Sequence, residues 1–309
     1  MRKFKAVPRD FVGYGPNPPD PQWPDGARMA INFVMNYEEG SELNVLDGDA
    51  STDTNMTEAH GVNQAVQGRD LAAESMFEYG SRVGFWRLLE LFQERKLPLT
   101  IFGCALALER NPAAAEAIRS AGYDVCGHGY RWERPHGLTE AEEREHLLAA
   151  IASFQKTLGQ RPEGWYCRYG PSINTRKLLV EEGGFLYDSD SYADELPFWT
   201  CVGGQPHLIV PYSLAHNDGK FVAQTGTADQ WFSFIRDGFD YLYAESARKP
   251  RMMSVGMHMR LLGNPSRAMG MKRFLDHVMS RKDVWITRRI EIAKHWYEVH
   301  PSKTELGQQ

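Results

Sequence analysis

Residues 29–40 read MAINFVMNYEEG. Met29–Tyr37 is a nearly unbroken apolar run of strand length, and it ends on Glu38, Glu39 and Gly40. A short apolar run bounded by a turn residue fits a strand buried on both faces, as in a parallel sheet. In parallel barrels the reactive groups gather at the C-terminal ends of the strands. The two carboxylates stand at that position.

The unit recurs outward from this stretch. Helices are expected over 85–95, 111–121, 139–158, 174–182, 227–247, 266–280 and 289–298. The Asn-Pro pair opens the second, and Glu140, Glu142 and Glu143 fill the first turn of the third. Strands are expected over 98–102, 123–126, 164–167, 185–187, 207–211, 251–257 and 283–287. Alternating strands and helices mean parallel pairing with right-handed crossovers. The pattern predicts one α/β domain over residues 1–309, a deformed (β/α) barrel of about seven parallel strands. Neither GxGxxG nor GxxxxGK[ST] occurs at a strand end, which argues against an open nucleotide-binding sheet. Residues 1–27, with six prolines, read as an extended arm. Residues 41–75 read as one long polar loop, a length that is commonly functional.

Composition narrows the class. The chain has 309 residues, 42% hydrophobic and 24% charged, which excludes global disorder. Its net charge of -5 argues against a general nucleic-acid binder. No apolar run approaches the ~20 residues of a membrane helix, and no apolar segment follows the basic start. Cys104, Cys126, Cys167 and Cys201 show no CxxC spacing and fit free thiols, so a cytoplasmic location is expected.

Five expected strands end on chemistry. Glu38 and Glu39 follow the first. His128, between Gly127 and Gly129, follows the third, with Trp132 four residues on. Arg168-Tyr169-Gly170 comes next, then Asp188 and Asp190, and last His258. Each alone has an ordinary reading: a solvated Glu-Glu turn, a turn histidine, Asp and Ser capping a loop. Their recurrence at successive strand ends is much harder to dismiss.

This order resembles the polysaccharide deacetylase family, the NodB-like carbohydrate esterases. The family has an Asp pair, a His-x-x-x-His, an Arg-x-x-Tyr-Gly-like motif, an Asp motif and a late Leu-His. The stretches NYEEGSELNVLDGDA (36–50), FEYGSRVGFWRLLELF (77–92), GHGYRW (127–132), LLVEEGGFLYDSDSYADELPFW (178–199), GMHMRLLGNPSRAM (256–269) and VWITRRIEIAKHW (284–296) are similar to its PuuE-type allantoinase branch. The resemblance implies the deformed barrel and a hydrolase of non-peptide C–N bonds. It also implies a homo-oligomer, dimer or tetramer. In the wider family the second Asp and both His hold a divalent cation. Here the Asp pair is Glu38-Glu39 and the second His is Trp132, substitutions this chain shares with the metal-independent branch. No cofactor is expected. Were zinc or another divalent cation bound, Glu39, His128 and a folded-back His136 would be its ligands, fewer than a tight zinc site uses.

The resulting mechanism opens a small cyclic amide or ureide. Glu38, with its pKa raised by Glu39 and burial, takes the proton from water. His128 orients the water, Arg168 polarises the carbonyl, and His258 protonates the leaving nitrogen. Asp188 or Asp190 positions Arg168 or His258. Glu39, Trp132, Tyr169 and Asp190 contact the substrate. No nucleic-acid or membrane partner is expected. The alternatives are a metal-dependent N-deacetylase of amino sugars or oligosaccharides, a cyclic-imide hydrolase, and a non-catalytic barrel that binds a small ligand.

Overall fold

The computed structural model describes residues 9–58, 66–219, 221 and 226–302. Residues 1–8 of the expected arm and 59–65 of the expected loop lie outside them. The described strands are β1 (Met29–Tyr37), β2 (Thr100–Gly103), β3 (Asp124–Gly127), β4 (Gly164–Trp165), β5 (Tyr187–Asp188), β6 (Phe198–Val202), β7 (Gln205–Ile209), β8 (Arg251–His258) and β9 (Val284–Thr287). They form one sheet in the order β6-β7-β5-β4-β3-β2-β1-β8, with β9 pairing β1. Every pairing is parallel except β6 with β7. Beyond β7 the chain reaches the β8 edge through one bridge, Asn217 to Gly256. The fold is a deformed barrel of mostly parallel strands.

β1 is the central stave. Its upper half pairs β2 and its lower half β9, while β8 runs along its other edge. Side chains alternate across a strand. Met29, Ile31, Phe33, Met35 and Tyr37 join the core under the helices, and Ala30 and Val34 join the smaller core inside the barrel. Glu38 continues the inner row of Ala30, Asn32, Val34 and Asn36. Glu39 continues the outer row. The same parity divides β8: Met253, Val255 and Met257 pack outward, while Met252 is in the inner core and His258 keeps its parity.

The helices are α1 (Leu71–Tyr79), α2 (Phe85–Glu94), α3 (Ala105–Arg110), α4 (Pro112–Ser120), α5 (Glu140–Leu158), α6 (Thr175–Glu182), α7 (Ala228–Glu245), α8 (Pro265–Met279) and α9 (Arg289–Val299). Most lie close to the sequence expectation, and α5 has its capping box from Thr139 and Glu142. Four features were not expected, the first being α3, which fills residues between the expected strand 98–102 and the expected helix 111–121. α1 takes up the end of the 41–75 segment, started by Asp70, whose side chain accepts from the N–H groups of Ala72 and Ala73. A π-helical turn over Gly80–Gly84 joins it to α2. β6 turns back on β7 through Gly203 and Gly204, both with positive φ.

Arg289, in the first turn of α9, reaches into the barrel floor. It donates to Asn32 Oδ1 (2.9 Å), Ser254 Oγ (2.8 Å), Ser189 Oγ (2.9 Å) and the Pro211 carbonyl (2.9 Å), and also to the Val210 carbonyl. It is fully buried with neutral acceptors only, and burial lowers its pKa. No helix among the described residues is long and apolar enough to cross a membrane.

Candidate active site

The inner row of side chains converges at the C-terminal mouth of the barrel, as the parallel arrangement requires. A cavity of 230 Å³ opens there, lined by Asn36, Glu38, Met56, His128, Trp132, Tyr166, Arg168, Tyr169, Tyr212, Leu214, Asn217, Gly219 and His258. Glu38, His128, Arg168, His258, Trp132 and Tyr169 therefore meet in one place.

Glu38 is the hub. Its Oε1 lies 3.3 Å from His128 Nε2 and 3.4 Å from His258 Nε2, and its Oε2 lies 2.8 Å from Arg260 Nη2. Burial pushes its pKa up, but His258 and Arg260 outweigh that and hold it well below the ordinary carboxylate range. This corrects the expectation of a raised Glu38. The raised member of the pair is Glu39, lifted by burial and by the Glu38 charge against the pull of Arg260.

His258 sits between two carboxylates. Its Nδ1 is 2.6 Å from Asp218 Oδ1, and its backbone N–H donates to Asp218 Oδ2 at 2.7 Å. Burial pulls its pKa down. Glu38 and Asp218 overcome this and raise it to about 9. At neutral pH the ring is an imidazolium, with Nδ1–H on Asp218 and Nε2–H facing Glu38 and the cavity. His128 is oriented the same way, with Nε2 toward Glu38. Its Nδ1 contacts the Tyr166 carbonyl at 2.8 Å and must donate there, since a carbonyl only accepts. Its ring stacks on Tyr166 at 5.1 Å.

Arg168 donates from Nη1 to the Trp132 carbonyl at 2.7 Å and pairs with Asp53 at 2.7 Å. Its guanidinium lies 3.5 Å from the Trp132 ring centre. Its Nε is buried and has no hydrogen-bond partner. Tyr169 follows at φ 55°, a strained setting for a bulky residue. That backbone turn keeps its ring 43% exposed at the rim, 6.2 Å from Trp132.

Three expected site residues stand apart. Asp188 faces outward, where it pairs with Arg176 Nε (2.8 Å) and His207 Nε2 (3.1 Å). Asp190 accepts from the Cys167 N–H at 2.8 Å, and burial and then Asp188 push it to about 8. Neither lines the cavity nor touches Arg168 or His258. Their places are taken by Asp53 and Asp218. The physical reason is parity: Tyr187 points into the barrel, so Asp188 cannot. Glu39 is likewise outward, bound to Arg260 rather than exposed to a substrate.

Sequence reasoning missed Asp53, Asp218 and Arg260. Arg260 had a readable signal, a cation two residues past His258. Asp53 and Asp218 lie in irregular segments with no periodicity to read.

A divalent cation does not fit these residues. Among the described residues no three His, Cys, Asp or Glu side chains are grouped to hold one. The carboxylate pair is already spanned by the Arg260 guanidinium, and the indole of Trp132 stands four residues after His128, where the family places its second histidine. His136 is exposed on a short 3₁₀ turn, outside the cavity lining.

Comparison with known proteins agrees with this architecture. The polysaccharide deacetylase family model matches residues 67–186. A putative polysaccharide deacetylase of Schizosaccharomyces pombe is 37% identical over 96% of this chain and 98% of its own length. The solved structure of PuuE allantoinase superposes with a TM-score of 0.93 at 46% identity, over 97% of this chain and 100% of that one. A probable polysaccharide deacetylase of Pseudomonas aeruginosa superposes with a TM-score of 0.92 at 47% identity, over 96% and 100%. By its full-length likeness to these proteins, this chain belongs to the polysaccharide deacetylase family of hydrolases.

Proposed function

We propose that the protein hydrolyses a C–N bond in a small, uncharged cyclic amide or ureide, an allantoinase-like ring opening. The observation that carries this reading is the pair formed by Glu38 and His258: an ionised carboxylate and an imidazolium, both within reach of one cavity. Amide hydrolysis needs a proton removed from water and a proton given to nitrogen. Glu38 accepts the first as water adds to the carbonyl, and His128 holds the attacking water beside it. His258 gives its Nε2 proton to the leaving nitrogen, while Asp218 keeps the ring oriented and its conjugate acid stable. The Arg168 guanidinium, which lines the cavity, meets the developing oxyanion.

Size and charge favour a small neutral ring. The cavity holds 230 Å³, below the usual range for drug-sized ligands, and Trp132, Tyr166, Tyr169 and Tyr212 give it flat walls. Each cation has a carboxylate: Arg168 has Asp53, Arg260 has Glu38, and His258 has Asp218. Among the described residues that line the cavity, no uncompensated cation remains to hold an anionic substrate. A strained ring is also more easily attacked without a Lewis acid than a plain N-acetyl group.

The test is a panel of ureides, cyclic imides and N-acetylated sugars, with and without chelator. Expected are turnover of a ureide or imide that chelator leaves unchanged, and a loss of at least ~10³-fold in Glu38→Gln. Chelator-sensitive release of acetate from N-acetyl sugars would replace this reading with the deacetylase one.

A further inference from the structure

Arg260 is the residue of the site that the mechanism above leaves unused. It is fully buried, and its guanidinium is held on every side. Nη2 is 2.8 Å from Glu38 Oε2 and Nη1 is 3.1 Å from Glu39 Oε1, so one fork spans two consecutive carboxylates. Its backbone N–H donates to Glu39 Oε1 at 3.2 Å, and Nε–H donates to the Met56 carbonyl at 2.8 Å. The planar cation lies between two aromatic rings, 4.6 Å from the Phe77 centre and 4.9 Å from the Trp132 centre. Trp132 in turn carries Arg168 at 3.5 Å, so the indole is in contact with two guanidinium groups.

Two carboxylates this close and this deeply buried repel each other strongly unless a cation lies between them. A histidine at position 132 would supply a ligand to a metal. An indole instead supplies a π-face, which attracts a guanidinium. The residue at 132 and the residue at 260 are therefore one device.

We propose that Arg260, clamped by Trp132 and Phe77, is the built-in fixed cation of this site: it positions Glu38 against His128 and His258 and makes a divalent cation unnecessary. Arg260 does not reach the substrate cavity, so it is a positioning residue. The role in turnover rests on the proposed function, while the role in charge compensation does not.

The test compares wild type with Arg260→Met, Arg260→Lys and the triple variant Glu38→Gln/Glu39→Gln/Arg260→Met. Thermal unfolding is followed with and without Zn²⁺ or Mn²⁺, and kinetics are measured on the best ureide or imide. Arg260→Met is expected to lower kcat by ~100-fold with KM little changed. Arg260→Lys should recover part of that loss. Arg260→Met should have a lower Tm and gain stabilisation from a divalent cation that wild type does not show. The triple variant, with no charge left to compensate, should regain Tm, and it also serves if Arg260→Met fails to fold.

The proposal is overturned if Arg260→Met keeps kcat within ~3-fold of wild type. It is equally overturned if the triple variant is no more stable than Arg260→Met, or if wild type takes up a stoichiometric cation. If wild type turns over no ureide or imide, the proposed function falls, and the stability comparison still decides what Arg260 does.

Discussion

His258 and Asp218 show how a buried contact becomes a measurable pH dependence. The imidazolium is raised from 6.5 to about 9 by Glu38 and Asp218 against the penalty of burial. A group whose folded pKa is raised stays charged until the pH passes that value. The proton donor is therefore intact at neutral pH and is lost as pH rises through about 9, where kcat/KM should fall. The stabilising effect of this cation has the same sign: fully present below about 6.5 and lost as pH rises through about 9. Asp218→Asn removes one of the two carboxylates, so the alkaline fall should move to lower pH and kcat should drop by about 10²–10⁴-fold. An unchanged pH profile in Asp218→Asn would remove Asp218 from the mechanism. Glu38, His128, Arg168 and His258 were legible in the sequence because each follows an apolar strand by one or two residues. Asp218 was not, because it lies 40 residues before His258 in an irregular segment and meets it only through the closing turn at Asn217.

At the scale of elements, strand parity decides which polar residues reach the cavity. Tyr166 and Tyr187 are inner-core residues, which places Arg168 inward and Asp188 and Asp190 outward. The apolar runs located the strand ends, but a run buried on both faces does not announce which parity is inner. That is why the Asp pair looked like a site from sequence alone. Helices also approach the site through glycines. At Gly80, in the π-helical turn, an added Cβ would collide with the Glu39 carboxylate and lie 2.9 Å from the Arg260 backbone N. π-turns are frequent at functional sites, and this one brings the helix within contact of the carboxylate–guanidinium pair. Gly80→Ala should therefore cost activity as well as about 1–3 kcal/mol of stability, as an overpacked side chain does. The measurement is kcat and Tm for Gly80→Ala beside Gly137→Ala, where an added Cβ meets nothing within 4 Å. Equal, small effects would show that the π-turn does not bear on the site.

At the scale of the molecule, the single sheet gathers its functional groups from positions 38 to 260, and one residue closes its floor. Arg289 joins Asn32 of β1, Ser189 just after β5, the carbonyls of Val210 and Pro211 after β7, and Ser254 of β8. Arg289→Met leaves those acceptors buried and unpaired, and it should destabilise the fold by about 3–5 kcal/mol. A Tm within a degree of wild type would contradict this. The alternation of elements made the barrel legible in the sequence. Its floor was not, since Arg289 read only as the basic start of a helix. The placement of Arg289 also bears on how the chain is made. Asn32 precedes Arg289 by 257 residues on the ribosome, so the interior acceptors exist long before their donor. A nascent chain halted at residue 288 has its strands but lacks the group that ties them together. Such a chain should remain protease-sensitive, and protection should appear only when α9 has left the exit tunnel.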